Sequence, residues 1–430
     1  MKQPPGPGDW HTFWLLRRGP LRSFPSVLQT LVARYGDLVA FRVPWRQFYI
    51  VNDPELIKEV LVHRQHEFSK SHGIAAMRLL LGEGLLTSEP PLHRQMRRIV
   101  QPAFHASRIA GYARQMVDLA QRFETSPDGD TFDMHAAMME LTLGIATTTL
   151  FGVDARGAAR SVGDSLRKIM EVFPLAIGPL APIRRRLRLP STRTFDRERA
   201  KLDRIVLELI DERRRQTGDR GDVLSMLLGE DDARVRDEVM TLFLAGHETT
   251  ANALTWAWCL LAQNPAIAER LRAEADAVVA PNGNITELLA RLPFTQRVVR
   301  ETLRLYPPAW IIAREAKIDI DIGGYRLKRG SSVLMSQLLV HRSPRYYIDP
   351  ERFDPDRWVD SSVPEFAYFP FGGGARRCIG EQFAWVELTL VLATIARRFA
   401  FTLDARTRLE TQPIVTLRPK YPIWMRSVAR

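Results

Sequence analysis

Residues 371–380 read Phe-Gly-Gly-Gly-Ala-Arg-Arg-Cys-Ile-Gly and run directly into an apolar stretch with helical spacing. Few segments constrain a fold as tightly. The successive glycines Gly372, Gly373 and Gly374 permit a tight turn and let the main chain lie flat against a ligand. Cys378 then stands at the mouth of a helix, whose positive end favours the thiolate over the thiol. Arg376 adds a fixed cation suited to a carboxylate. The segment presents an ionisable sulfur beside a glycine-lined surface, with a guanidinium ready for an acid.

The chain has 430 residues, 45% of them hydrophobic, which is ample for a large core. Its two cysteines, Cys259 and Cys378, build no disulfide framework. Cys259 falls in an apolar helical pattern and reads as a small buried hydrophobe. Cysteine poverty and the lack of a signal-peptide pattern fit a cytoplasmic protein. The opening, with Pro4, Pro5, Gly6 and Pro7, builds no apolar run of the roughly 20 residues that spans a bilayer, so no membrane span is expected. Residues 239–259 are apolar, but His247, Glu248, Thr249 and Thr250 interrupt them, which points to burial in protein. The net charge of +12 suits nucleic acid, a membrane surface or an acidic protein. No nucleic-acid motif or zinc spacing accompanies it, so no nucleic acid is expected. The densest cluster, Arg184, Arg185, Arg186 and Arg188, reads as a solvated turn.

Residues 38–42 and 47–51, separated by Pro44, predict a strand hairpin. Asp53 and Pro54 then cap and begin a helix. From about 92 to 277 the pattern is helical, with breaks near Pro127, Gly152, Gly178 to Pro190, and Gly218. Asn264-Pro265 closes one long helix. Short strands are expected between 315 and 336, an irregular Pro- and Asp-rich stretch over 343–360, and a helix after Gly380. Strands are also expected at 399–403, 414–417 and 423–425. With no linker and no repeat, the chain reads as one mainly α (α+β) domain over 1–430, its small β portion drawn from both ends.

On the central helix, Ala245, Glu248 and Thr249 share a face at i, i+3, i+4 spacing. Ala245 leaves room for a flat cofactor. Gly246 weakens the backbone ladder and Thr249 bonds a carbonyl one turn earlier, so a local distortion is expected. A carboxylate beside a hydroxyl makes a proton-relay pair. His247, a lone helical histidine, reads as structural. Further on, Glu301 and Arg304 stand at i, i+3 and pair on one helix face.

Phe371, Gly374, Arg376, Cys378 and Gly380 match Phe-x-x-Gly-x-Arg-x-Cys-x-Gly, and the chain thereby resembles the cytochrome P450 superfamily of haem-thiolate monooxygenases, in its soluble bacterial form. The resemblance implies a helix-rich body with a small β-rich region, and haem b buried between the long central helix and the helix after the cysteine loop. It implies that Cys378 is the axial ligand of the iron, with Phe371, Gly372 and Gly380 along the cofactor. Ala245-Gly246-His247-Glu248-Thr249 resembles the family's oxygen-activation motif, which makes Glu248 and Thr249 its acid and alcohol. The propionates fall to Arg97 and Arg376, with His93 and Arg314 as further contacts, while Arg94 and Arg98 read as surface charges. The Glu301–Arg304 pair is joined in the family by an arginine from a Pro-x-Arg-aromatic motif. Arg352 and Arg357 both offer that pattern, and Phe353 and Pro355 favour Arg357.

The activity this implies is hydroxylation or epoxidation of an apolar molecule with O2 and electrons from a separate acidic ferredoxin or flavodoxin, docking over the cysteine side. Tyr306-Pro307-Pro308-Ala309-Trp310 resembles members that act on terpenoids, carotenoids or fatty acids. Residues 74–86, Phe173, Leu175, Trp310 to Ile312 and Val415 are candidate pocket walls, each of which reads individually as core. No nucleotide or flavin fingerprint is present, so no fused reductase is expected. The rival readings are a peroxide-driven or rearranging haem-thiolate enzyme, against which the Glu248–Thr249 pair speaks, and a non-enzymatic haem sensor or electron carrier.

Overall fold

A computed structural model describes residues 2–8, 24–43, 46–125, 130–152, 156–177, 181–215, 221–278 and 285–429. Pro44, Pro127, Gly178 and Gly218, expected to break elements, lie outside the described residues. The longer helices and the strands run in the order α1 (Phe24–Tyr35), β1 (Leu38–Val43), β2 (Arg46–Val51), β3 (Phe68–Lys70), α2 (Leu92–Val100), α3 (Ala106–Gln121), β4 (Thr131–Asp133), α4 (Met134–Phe151), α5 (Arg156–Ile177), α6 (Pro190–Arg215), α7 (Asp232–Gln263), α8 (Pro265–Ala277) and α9 (Pro293–Leu305). They continue with β5 (Ile312–Ala316), β6 (Ile320–Ile322), β7 (Tyr325–Leu327), β8 (Ser332–Met335), α10 (Glu381–Arg398), β9 (Phe399–Leu403), β10 (Thr411–Pro413), β11 (Leu417–Pro419) and β12 (Trp424–Ala429). Among the described residues no helix is long and apolar enough to cross a membrane.

The chain falls into two compact units, each assembled from separate segments. The first takes residues 1–72, 297–378 and 409–420 and holds most of the strands. Its five-stranded sheet has the order β1-β2-β8-β5-β3, in which only β2 and β8 run parallel. Alternation along the strands builds two cores, one on each face. Tyr49, Val51, Val333 and Met335 enter one, while Ile50 and Leu334 enter the other with Val39, Phe41 and Trp310. The predicted hairpin pairs Leu38 with Val51 at its open end. Asp53 caps the short helix 54–58 through Oδ1, which accepts from the amides of Glu55 at 3.0 Å and Leu56 at 3.2 Å.

The second unit takes residues 73–296, 379–408 and 421–430 and is largely helical. Its axis is α7, 32 residues long. Asp231 caps it by accepting from the amide of Arg234 at 3.1 Å, and Pro265 begins the next helix after Asn264. The helix packs most extensively on α4, where Phe243 and Phe151 meet at 4.6 Å. A left-handed residue ends α4, and it is Gly152, with φ +62. Strands β4, β12 and β9 form a separate antiparallel sheet.

Three expectations are corrected. Residues 414–416 form the turn between β10 and β11 rather than a strand: the Ile414 amide bonds locally to Gln412 and Thr416 carbonyls. The last strand begins at Trp424 and runs on to Ala429. Finally, α7 runs unbroken through Gly246. The hydroxyls of Thr249 and Thr250 bond the Ala245 and Gly246 carbonyls at 2.7 and 3.1 Å, and a carbonyl has a second lone pair for its ladder bond.

Candidate active site

In the first unit, the cysteine loop is a single turn of 3-10 helix over 374–376, followed by the exposed Cys378. The Cys378 amide donates to the Phe371 carbonyl at 3.0 Å, closing the loop on itself. The glycines are required by what lies behind them. A Cβ on Gly374 would stand 1.9 Å from the Leu61 carbonyl oxygen, and one on Gly373 would stand 2.5 Å from the Phe366 ring. Gly372 and Gly374 also hold φ near +70, at +71 and +68. Gln65 Oε1 receives the Ala375 amide at 2.8 Å. The loop is thus clamped from behind, while the sulfur is presented on the open side. Cys378 stands two residues before Gly380, which is the N-cap of α10.

Glu301 and Arg304 of α9 are both fully buried. Arg304 grips the carboxylate with two nitrogens, each 2.8 Å from an oxygen. Arg357 adds Nε to Oε1 at 2.9 Å, and Trp358 adds Nε1 to Oε2 at 2.9 Å. Arg352 is exposed and contributes its carbonyl, which accepts from Arg304 at 3.1 Å. Its remaining nitrogen, Nη1, donates to the carbonyls of both His341 and Pro350. Every charge in the cluster is matched by donors or acceptors, which a buried ion pair requires.

Arg314 lies half-buried on β5. Ile312, two residues earlier on the same face, is the side chain a Cβ on Gly372 would meet, at 3.2 Å. Arg314 therefore shares the strand face turned to the glycine loop. Arg376 is half-buried within the loop itself.

In the second unit, α7 is buried continuously from 238 to 261 except at Ala245, Gly246 and Thr249. Ala245 is exposed and Thr249 is half-buried. The uncovered residues are one turn apart, so they form a single narrow window in this otherwise enclosed stretch of the helix. Glu248 is buried beside it. His247 points away into the core, where its Nδ1 bonds the Phe243 carbonyl and burial lowers its pKa. Cys259 is buried too, and burial pushes its thiol up. Among the described residues no cluster of His, Cys, Asp and Glu is arranged to hold a metal ion.

On α2, His93 is buried and Arg97, four residues on, is half-buried. Arg94 and Arg98 are exposed, yet they do not stand apart from Arg97. With His105 and Arg108 from the start of α3 they line one open cleft of about 620 Å³ with it. Residues 74–86, a candidate pocket wall, are tied to α7: Asp237 accepts from the Glu83 amide at 2.7 Å and Glu238 from the Leu85 amide at 3.0 Å. Phe173 and Trp310 are core, packed on Phe195 and Phe24.

Sequence reasoning missed two residues. Glu387 on α10 is fully buried, and burial drives its carboxyl well above the usual carboxylate range. The Thr250 hydroxyl lies 3.3 Å from its Oε1. The available signal was a single acid inside an apolar helical run. The second is His341, fully buried at the end of the short helix Gln337–Val340 that follows β8, whose Nε2 accepts the Phe369 amide at 2.9 Å. It carried no sequence signal beyond being a histidine beside apolar residues.

Comparison with known proteins finds relatives over nearly the whole chain. The family model described as Cytochrome P450 matches residues 4–425. The chain is 38% identical over 419 residues to cyclooctatin synthase of Streptomyces melanosporofaciens, covering 94% of this chain and 90% of that one. It is 37% identical to cyclooctat-9-en-7-ol 5-monooxygenase of the same organism, over 90% of this chain and 86% of the relative. Pentalenene oxygenase of Streptomyces avermitilis is 32% identical, over 97% and 94%.

Proposed function

The chain belongs to the cytochrome P450 family and is a monooxygenase of that family, and from this premise we propose that it hydroxylates or epoxidises a terpenoid-like apolar molecule, with Cys378 as the thiolate ligand of haem b. The family implies the haem-thiolate group, and the residues present suit it. The sulfur is exposed on a loop braced from behind, arginines suited to carboxylates accompany it, and within 238–261 α7 is uncovered only where small residues stand.

When bound, the haem supplies dioxygen activation, which a thiolate ligand promotes by favouring O–O cleavage. The chain supplies position and protons. Arg97 and Arg376 would hold the propionates, with His93 and Arg314 as further contacts. Phe371, Gly372, Gly380, Ala245 and Gly246 would lie along the cofactor. Glu248 takes up protons from water and Thr249 holds the hydroxyl that hands them on. One oxygen atom enters the substrate and the other leaves as water, at the cost of two electrons and two protons. Glu301, Arg304 and Arg357 support the loop and take no part in the chemistry.

The observation that carries this reading is the window at Ala245 and Thr249. A helix that over 238–261 buries every neighbour and uncovers only a methyl, a glycine and a hydroxyl beside a buried acid suits a site for a small apolar molecule and a proton relay. The relatives named for cyclooctat-9-en-7-ol and pentalenene favour a cyclic terpenoid as that molecule.

The electron donor is an acidic ferredoxin or flavodoxin. The cleft lined by Arg94, Arg98, His105 and Arg108 and the net charge of +12 favour an acidic partner. A thiolate that must stay free requires a reducing compartment, so the cytoplasm is the proposed location. The test is a panel of cyclic terpenes added to purified haem-loaded protein. Members of the panel should shift the haem absorption band and, with ferredoxin and its reductase, yield a product heavier by one oxygen atom. A panel that gives neither shift nor product would overturn the substrate class.

A further inference from the structure

We propose that His341 is a positioning residue for Cys378: its neutral imidazole fixes the chain at the entry to the cysteine loop and ties that loop to the Glu301–Arg304–Arg357 cluster. The proposal rests on the reading of Cys378 as the haem ligand.

The connection runs through hydrogen bonds within the first unit. Arg304 Nη1 donates to the His341 carbonyl at 2.8 Å. His341 Nε2 accepts from the Phe369 amide at 2.9 Å. The Phe369 carbonyl accepts from the Gly372 amide at 3.0 Å, and the Phe371 carbonyl accepts from the Cys378 amide at 3.0 Å. The ring packs against two aromatic neighbours. It stacks on Tyr368 with centroids 5.1 Å apart and meets Phe369 edge-on at 5.4 Å.

The direction of the Phe369 bond dictates the state of the ring. An amide can only donate, so Nε2 must offer a lone pair and the proton must sit on Nδ1. A charged imidazole would lose this acceptor and stand beside the guanidiniums of Arg304 and Arg342. Burial, followed by Arg304, pushes its pKa down to about 3, with backbone groups of Arg304 and Leu303 partly opposing. Tyr347 and Tyr368 anchor the same stretch through their hydroxyls, to the Ala367 and Arg300 carbonyls at 2.9 and 3.1 Å. The His341 bond is the one placed at Phe369, where the chain turns into the loop. Without it a buried amide would lose its acceptor at that point.

His341→Phe keeps the ring and removes the acceptor; His341→Gln restores an acceptor. Amide hydrogen exchange of the haem-loaded protein should rise about tenfold over residues 369–378 in the Phe variant, the effect of losing one ordinary hydrogen bond, with β9–β12 unchanged. The share of thiolate-type spectrum in the reduced carbon monoxide complex should fall. The Gln variant should recover both. Wild-type exchange and spectrum in His341→Phe, or a Gln variant no better than Phe, would overturn the proposal. Nitrogen-15 shifts of wild-type His341 near pH 7 give a reading that needs no variant: they should report the neutral ring with its proton on Nδ1, and an Nε2–H or charged ring would overturn it. If wild-type protein itself shows no thiolate spectrum, the ligand reading of Cys378 fails instead, while exchange and tautomer still report on His341.

Discussion

Arg357 donates from Nε to Oε1 of Glu301 at 2.9 Å, joining residues 56 positions apart in one buried ion pair. Trp358, Arg304 and the Asp354 amide occupy the rest of the carboxylate, with no exposed edge left for water. Removing one partner strands a buried charge, which costs about 3–5 kcal/mol. Glu301→Ala is therefore expected to abolish folding or lower stability by that amount. Arg357→Ala should cost about 3 kcal/mol, whereas Arg352→Ala, at an exposed residue whose carbonyl does the work, should stay within about 0.5 kcal/mol. Denaturant midpoints of the two arginine variants check the contrast.

Thr249→Ala leaves α7 and its window intact but removes the hydroxyl. With a ferredoxin system and substrate, the variant should consume reducing equivalents at a rate near that of the parent, release hydrogen peroxide and form little product. Measured peroxide and product per electron pair decide it, and tight coupling in the variant would remove Thr249 from the proton relay.

Glu387 and His341 make stability depend on pH in opposite senses. Burial raises the folded pKa of Glu387 above its ordinary 4.5, so the folded state binds more protons than the unfolded and stability falls as pH rises through and above 4.5. Glu387→Gln removes this dependence. It should be at least as stable as the parent near pH 7, with the advantage shrinking as pH approaches 4.5. His341 has its folded pKa lowered from 6.5 to about 3, so the unfolded state binds the extra proton in that window. Its contribution is complete above 6.5 and is lost on acidification, at up to about 1.4 kcal/mol per pH unit. Chemical denaturation at a series of pH values, for the parent and Glu387→Gln, separates the two.

Arg94→Glu with Arg98→Glu reverses two exposed charges of the cleft on α2. Reduction by an acidic ferredoxin should slow by at least about tenfold at low salt, as expected for electrostatically steered association, and the difference should shrink as salt is added. Substrate binding should be unchanged. Equal reduction rates in parent and variant would place the partner elsewhere.

Much of this was legible in the sequence where local chemistry dominates. The 38–51 hairpin follows from alternation, and the ends of α7 follow from Asp231 and from Asn264-Pro265. Phe353 and Pro355 favour Arg357 over Arg352 as the partner of Glu301, and Arg357 makes that contact. What could not be read depends on what packs against a residue. Glu387 is an acid within an apolar helix, and only its burial raises its carboxyl above the usual carboxylate range. Arg94 and Arg98 read as isolated surface charges, and they become part of a cleft only because His105 and Arg108 are folded back beside them. Ile414 to Thr416 have strand composition but sit where β10 must turn into β11. His341 gains its role from Phe369, 28 residues away.

The central claim is that the Cys378 sulfur, ionised, ligates the iron of a haem. Carbon monoxide added to the reduced, natively folded protein tests it most directly. The prediction is the absorption spectrum of a thiolate-ligated haem in the parent, lost in Cys378→Ser. A spectrum of histidine ligation in the parent, or a parent that retains no haem at all, would contradict it.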